Sequence, residues 1–225
     1  LATPSAARPA WLDAKYPEAM RTHADGLKET HGKRHNHCMS SPIYREKVRV
    51  IDTVLAEHYK DNPAVKLWHI SNEFSGECFC PLCRENFRKF LRKRYHNDIN
   101  LLNEQWWSAF WSHTYTSFDQ IDPPSYLGET SLYGLNLDWK RYTTDITCDF
   151  MQAEIDTVKA ITPDIPVTTN MMGTYPGIDY WKMAKHLDVA SWDAYPQFDG
   201  TAGVSDSDLA TSVGMVHSLT RSLLH

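Results

Sequence analysis

Apolar and polar positions fall along this chain in blocks whose spacing predicts helices separated by short strands. Residues 1–10 read as a strand end and loop, and Pro9 to Lys15 as a short helix. The stretch 20–40 is polar, rich in Gly and His, and reads as loop. Ser41 is placed as an N-cap with Pro42 at the first helical position. Val48, Ile51, Val54 and Leu55 then form an apolar stripe to about His58. Beyond the turn Asp61-Asn62-Pro63, the run Ala64 to Ile70 reads as a buried strand ending at Ser71-Asn72-Glu73. A basic helix is expected from about Leu82 to Tyr95, and a helical or turn region over 98–118. Pro123-Pro124 interrupts the pattern before a long helix from about Asn136 to Ile161. Pro166 to Met171 then reads as a strand, Ile178 to His186 as a helix, Val189 to Trp192 as a strand and Leu209 to Leu224 as a helix. Strands alternating with helices imply a parallel α/β architecture, either a doubly wound sheet or a β/α barrel. No Gly-rich phosphate loop follows a strand, which disfavours nucleotide binding.

Composition narrows the class. With 225 residues, 42% of them hydrophobic and 23% charged, the chain has material for one sizeable core and reads as a single domain. The net charge of −5 is spread among interspersed acids and bases, so neither nucleic acid nor an anionic membrane surface is an expected partner. No apolar run approaches the roughly 20 residues that span a bilayer. Eight Trp and eleven Tyr suit sugar-stacking platforms, although large cores use such rings too. The chain opens on the apolar, Pro/Ala-rich stretch Leu1 to Trp11 and stops at His225 inside an expected helix, so both ends read as cut from something longer.

Candidate chemistry begins where a strand gives way to its loop, the usual place for functional groups in parallel α/β folds. Asn72-Glu73 stands there. A Glu preceded by an amide suits glycosidic cleavage: the acid donates a proton to the leaving oxygen, and the amide holds a sugar hydroxyl. Alone, the dipeptide reads first as an ordinary solvated loop. A retaining glycosidase needs a second carboxylate about 5 Å away. Asp193 and Asp179 are the candidates here, and neither has a distinguishing pattern.

Cysteines supply a second signal. Cys78, Cys80 and Cys83 put three thiols in six residues, and Cys38 lies upstream in a His-rich segment. Short spacing lets one loop wrap an ion while a distant fourth ligand ties it to another segment, as tetrahedral zinc requires. Disulfides, free thiols and iron–sulfur ligation are the competing readings, and His35 or His37 could replace Cys38. Cys148 reads as a small buried hydrophobe, and Trp192, Trp106 and Trp107 as core aromatics.

These pieces together resemble the glycoside hydrolase family 42 β-galactosidases. The resemblance runs through Leu1 to Pro4 and Pro9 to Leu12, Arg34 to Cys38, Ser41 to Arg45 and Trp68 to Glu73. It continues through the cysteine trio, Leu101 to Asn103 with Trp106 and Phe110-Trp111, Val167 to Asn170, and Ser191 to Pro196. It implies a (β/α)8 TIM barrel and retaining hydrolysis of terminal β-linked galactose. Glu73 matches the family's acid/base, Arg34, Asn72 and Tyr195 its sugar-binding residues, and Cys38, Cys78, Cys80 and Cys83 its structural zinc ligands. Family members are typically cytoplasmic and often trimeric. Residues 1–225 would then be a partial catalytic barrel domain, strands three to six with their helices, with a zinc-binding loop region around 35–84. The segment Met215 to Leu219 with Arg221 resembles the helix before the seventh strand, which in this family ends on the nucleophilic Glu. That Glu would lie beyond His225, and the 225 residues alone would be inactive. A related arabinopyranosidase or β-glucosidase, or a non-catalytic zinc-stabilised carbohydrate-binding or interaction module, are the alternatives.

Overall fold

The computed structural model describes residues 1–196 and 203–224. The chain divides into two compact units: unit 1 comprises 1–6, 48–75 and 151–225, and unit 2 comprises 7–47 and 76–150.

Unit 1 is built on a parallel three-stranded sheet in the order β1 (Trp68–His69), β2 (Val167–Met171), β3 (Val189–Trp192). Ala2 adds a parallel bridge beside His69, with the Thr3 N–H donating to the His69 carbonyl at 2.9 Å. The order along the sheet therefore follows the order along the chain, as successive βα units produce. In β2, Val167, Thr168, Thr169 and Met171 are all buried. Its threonines are satisfied across the sheet, Thr168 Oγ1 lying 2.9 Å from Ser191 Oγ and Thr169 Oγ1 donating to the Ile70 carbonyl at 2.8 Å. Trp68 is fully buried because its indole N–H finds Thr162 Oγ1 at 2.9 Å.

The expected strand over Ala64 to Ile70 is shorter than the pattern suggested. Asn62 closes a turn, accepting from the Ala64 N–H through its side chain and from the Val65 N–H through its carbonyl, and Ala64 is left exposed. Helix α2 (Pro42–Tyr59) starts where Pro42 predicts, but its inward face is another one. Val48, Asp52 and Ala56 are buried at helical spacing, whereas Ile51 and Val54 are exposed.

The inward aspartate explains the shift. Asp52 and Glu154, the latter on α5 (Tyr133–Lys159), form a buried acid pair in unit 1. Glu154 accepts from Thr3 Oγ1 and Ser5 Oγ, each at 3.0 Å. Burial pushes Asp52 up to about 7, tempered by its bond to Glu154, and burial with the Asp52 charge pushes Glu154 well above the carboxylate range.

Unit 2 is helical: α1 (Ala10–Lys15), α3 (Pro81–Arg94), α4 (Ile99–Trp106), and the parts of α2 and α5 that lie within 7–47 and 76–150. Phe87, Leu91, Leu102, Ile121, Leu135 and Trp139 form its core. Asp138, fully buried, anchors that core, accepting from Tyr95 Oη at 2.5 Å and Trp106 Nε1 at 3.0 Å and pairing with Arg94 and Arg141. Trp106 is a core aromatic as expected, but Trp107, in a left-handed backbone conformation at the end of α4, is 79% exposed. Cys148 is buried, as expected. Helices α6 (Tyr180–Ala184) and α7 (Asp206–Ser222) complete unit 1. No helix among the described residues is long and apolar enough to cross a membrane.

The acid pair gives a signed prediction. Asp52 keeps its proton in the folded state up to about pH 7 and loses it at ordinary acidity when unfolded. Its contribution is therefore full at acidic pH and lost as pH rises through 7. Asp52→Asn should stabilise the protein by roughly 1–2 kcal/mol at pH 8, change little at pH 4.5, and flatten the Tm-against-pH curve between them. Parallel Tm curves for the variant and the parent would contradict this account.

Candidate active site and metal centre

All three strands of unit 1 run the same way, so their carboxyl ends lie together, and four polar side chains project from there. After β1 the backbone turns sharply, with Ser71 at φ 54° and Glu73 at φ 40°. Left-handed φ values on residues other than Gly cost of order ~1–3 kcal/mol each and persist only where the surroundings enforce them. Two side-chain acceptors do so here. The Ser71 N–H donates to Thr3 Oγ1 at 2.7 Å, and the Glu73 N–H to Asn170 Oδ1 at 2.8 Å.

Asn170 stands on β2 at the centre of this group. Its Nδ2 donates to Asn72 Oδ1 at 3.1 Å and to Asp193 Oδ1 and Oδ2 at 2.9 and 3.0 Å. Asp193 is itself fixed just past β3, where its N–H donates to the Met171 carbonyl at 2.9 Å. Tyr180 borders the same place, its hydroxyl accepting from the Met172 N–H at 2.9 Å. Burial pushes that hydroxyl up to about 12, and the charges of Asp193 and Glu73 add to the shift. Two carboxylates and two amides on rigid strand ends are what protonating and orienting a polyhydroxy substrate calls for.

The sequence-derived residues are placed as follows. Asn72 and Glu73 come together with Asn170 and Asp193. Tyr195 is 77% exposed beyond β3. Asp179 caps α6, accepting from the Lys182 N–H. Trp192 donates through its indole N–H to His217 Nδ1 at 3.0 Å. Arg34 belongs to unit 2, exposed and next in sequence to buried His35. Burial, then Arg21 and Arg34, push His35 down to about 4. Asn170 was overlooked as a site residue, although it occupies on β2 the strand-end position that singled out Glu73 on β1.

In unit 2, the Sγ atoms of Cys38, Cys78, Cys80 and Cys83 all lie within 4.8 Å of one another. Cys38 Sγ is 3.7 Å from Cys80 Sγ and 3.4 Å from Cys83 Sγ. Four thiolates at the zinc–sulfur bond length stand about 3.8 Å apart at tetrahedral corners, so this set fits a metal ion. His37 is not the fourth ligand of this set: its ring stacks on Tyr44 at 4.2 Å. Local structure favours thiolates. Cys80 caps α3, accepting from the Cys83 N–H at 3.5 Å, and the Thr22 N–H lies 3.5 Å from Cys78 Sγ. Both N–H groups and the helix N-terminus favour negative sulfur. Gly76, at φ 82°, opens the loop, and a Cβ there would fall 1.7 Å from the Arg21 guanidinium.

Comparison with known proteins fits this geometry. A sequence model of the β-galactosidase family, glycoside hydrolase family 42, matches residues 1–225. A β-galactosidase of Clostridium perfringens is 54% identical over the whole chain, and one of Alicyclobacillus acidocaldarius 55% identical. A solved family 42 β-galactosidase from G. stearothermophilus, in a catalytic-mutant form, superposes with a TM-score of 0.96 at 52% identity over 99% of the chain. The chain spans about a third of each: 33%, 32% and 33% respectively. A β-amylase catalytic domain from Paenibacillus polymyxa, only 12% identical, shares the fold with a TM-score of 0.62. These neighbours indicate a TIM-barrel glycosidase fold.

Protein purified under reducing conditions should hold one tightly bound metal ion at the four cysteines. Ser can replace the cap of Cys80 but not its thiolate, so Cys80→Ser isolates the ion's contribution. Elemental analysis should show metal lost and the Tm lowered. Metal-free parent protein with the same Tm as the variant would rule the site out.

Proposed function

We infer a function from one premise: the chain belongs to the glycoside hydrolase family 42 β-galactosidases. The whole protein that carries it is a retaining β-galactosidase acting on terminal, non-reducing β-linked galactose, and Glu73 is its general acid/base. The observation that carries this reading is the strand-end cluster, in which Asn72 and Glu73 are held against Asn170 and Asp193.

The chemistry assigns each group a task. The Glu73 carboxyl gives its proton to the glycosidic oxygen as the bond to the anomeric carbon breaks, while a second carboxylate bonds to that carbon. The Glu73 carboxylate then takes a proton from water, whose oxygen displaces the second carboxylate and releases galactose with retained configuration. Asn72, Arg34 and Tyr195 hold the sugar. Asp193 is engaged by Asn170 and Asp179 by its helix cap, which argues against either as the attacking group. By the family resemblance, the nucleophilic Glu lies on a strand outside these 225 residues.

The sheet supports that placement. Ala2, β1, β2 and β3 follow one another in parallel, as strands three to six of a barrel would. Residues 1–225 are then a partial catalytic domain, with its metal-binding loops within 35–84. The ion is structural Zn2+, since four thiolates leave no open coordination position for catalysis. Thiolate ligation requires reduced cysteines and suits the cytoplasm. The whole enzyme assembles as a trimer, in keeping with the family resemblance.

In the whole enzyme, Glu73→Gln should lower kcat/KM for lactose by about 10²–10⁴-fold with the Tm kept. The isolated 225-residue polypeptide should give no galactoside turnover. Lactose hydrolysis at the parent rate by the Gln variant would remove Glu73 from the mechanism. Glu73-dependent turnover by the isolated polypeptide would remove the external nucleophile.

A further inference from the structure

We propose that Asn170, its amide oriented by Asp193, is a positioning residue that aims Glu73; this rests on reading Glu73 as the acid/base. A side-chain amide can be turned end for end with little change in shape, and only its partners decide which end carries oxygen. Here they decide it. Both oxygens of Asp193 lie within hydrogen-bond distance of the same end of the amide, so the Nδ2 end faces it, and Oδ1 is left for the Glu73 N–H at 2.8 Å. The reverse orientation would set the amide oxygen against a carboxylate and the NH2 group against an N–H, two repulsions at once.

The backbone at Glu73 needs that acceptor. With φ at 40°, the residue is in a region that side chains other than Gly avoid, and the Asn170 bond pins its N–H. Thr3 pins the N–H of Ser71, so both left-handed residues of the turn are held by side chains from other strands. Releasing the Asn170 bond allows the peptide at Glu73 to relax and the carboxyl to swing from its aim. The same amide reaches Asn72 Oδ1 at 3.1 Å, which turns the Asn72 NH2 group to the opposite side. One side chain thus sets the direction of the acid and of the neighbouring donor.

The test uses the whole enzyme and two galactosides that differ in how much their leaving group needs a proton. The glucose of lactose leaves as an alkoxide unless protonated, whereas dinitrophenolate leaves unaided, and kcat/KM reports bond cleavage for both. Asp193→Asn and Asn170→Ala should each lower kcat/KM for lactose by about tenfold or more and for dinitrophenyl galactoside by less than about threefold. The swapped pair Asn170→Asp with Asp193→Asn restores an acceptor for the Glu73 N–H and a donor–acceptor match between the two positions. It should recover lactose activity beyond the product of the effects of Asn170→Asp and Asp193→Asn measured separately. Equal losses on both substrates, no loss on either, or a double variant that merely multiplies the single losses would overturn the proposal. Glu73→Gln serves as the reference. If it shows no dependence on the leaving group, the acid/base reading fails; if it does and the Asn170 and Asp193 variants do not, only the positioning role fails.

Discussion

The parallel ladder of unit 1 is the constraint from which the candidate site follows. Hydrogen bonds join Leu1 and Thr3 to His69, Trp68 to Pro166 just before β2, Ile70 to Thr168 on it, and β2 to β3, always with chain directions aligned. A parallel ladder gathers every carboxyl end on one side, and that alone brings Glu73, Asn170 and Asp193 together from positions far apart in sequence. Asn170 lies within β2 and Asp193 directly follows β3, so the ladder holds their backbones, and the Asn170 bond to the Glu73 N–H ties the turn after β1 to it. Side chains mounted this way are placed more accurately than any loop could manage.

The same principle shows how much was legible beforehand. The alternation of elements, the Ser41 cap before Pro42, the strands close to Val167–Met171 and Val189–Trp192 and the cysteine spacing are local signals, and the structure carries them. Misreadings arose where a distant partner decided the outcome. On α2, Ile51 and Val54 looked inward by periodicity, yet Asp52 occupies that face because Glu154 awaits it from α5. Trp107 looked like core by composition, but the left-handed residue closing α4 turns it out. The start of β1 was lost to the Asn62 turn, where a side-chain bond outcompetes the ladder. Glu73 was found through its position after an apolar run, whereas Asn170 matters through a bond to a residue almost a hundred positions away, which no window on the sequence displays.

Buried carboxylates are handled in two ways. Asp138 in unit 2 lies among two arginines, a phenol and an indole, so its burial is offset by a full set of donors. In unit 1 the hydroxyls of Thr3 and Ser5 donate to Glu154 alone of the acid pair, and burial raises Asp52 and Glu154 towards their protonated forms instead. Thr3 links that pair to the strand-end turn: its hydroxyl donates to Glu154 and accepts from the Ser71 N–H. A neutral, hydrogen-bonded acid therefore backs one side of the turn, and Asp193 governs the other through Asn170.

The two spacings of the cysteine cluster carry opposite tolerances. Between Cys38 and Cys78 the chain makes a long excursion, and the entropy of closing such a loop grows only logarithmically, by about 0.6 kcal/mol for each doubling of length. Extra residues at a surface turn such as Asp61-Asn62-Pro63 would therefore hardly loosen an ion held at both ends. Between Cys78 and Cys83 the ligands share one helix cap, and a single inserted residue would rotate Cys83 away from its three companions. Added length is thus tolerated at that turn and not within the cap.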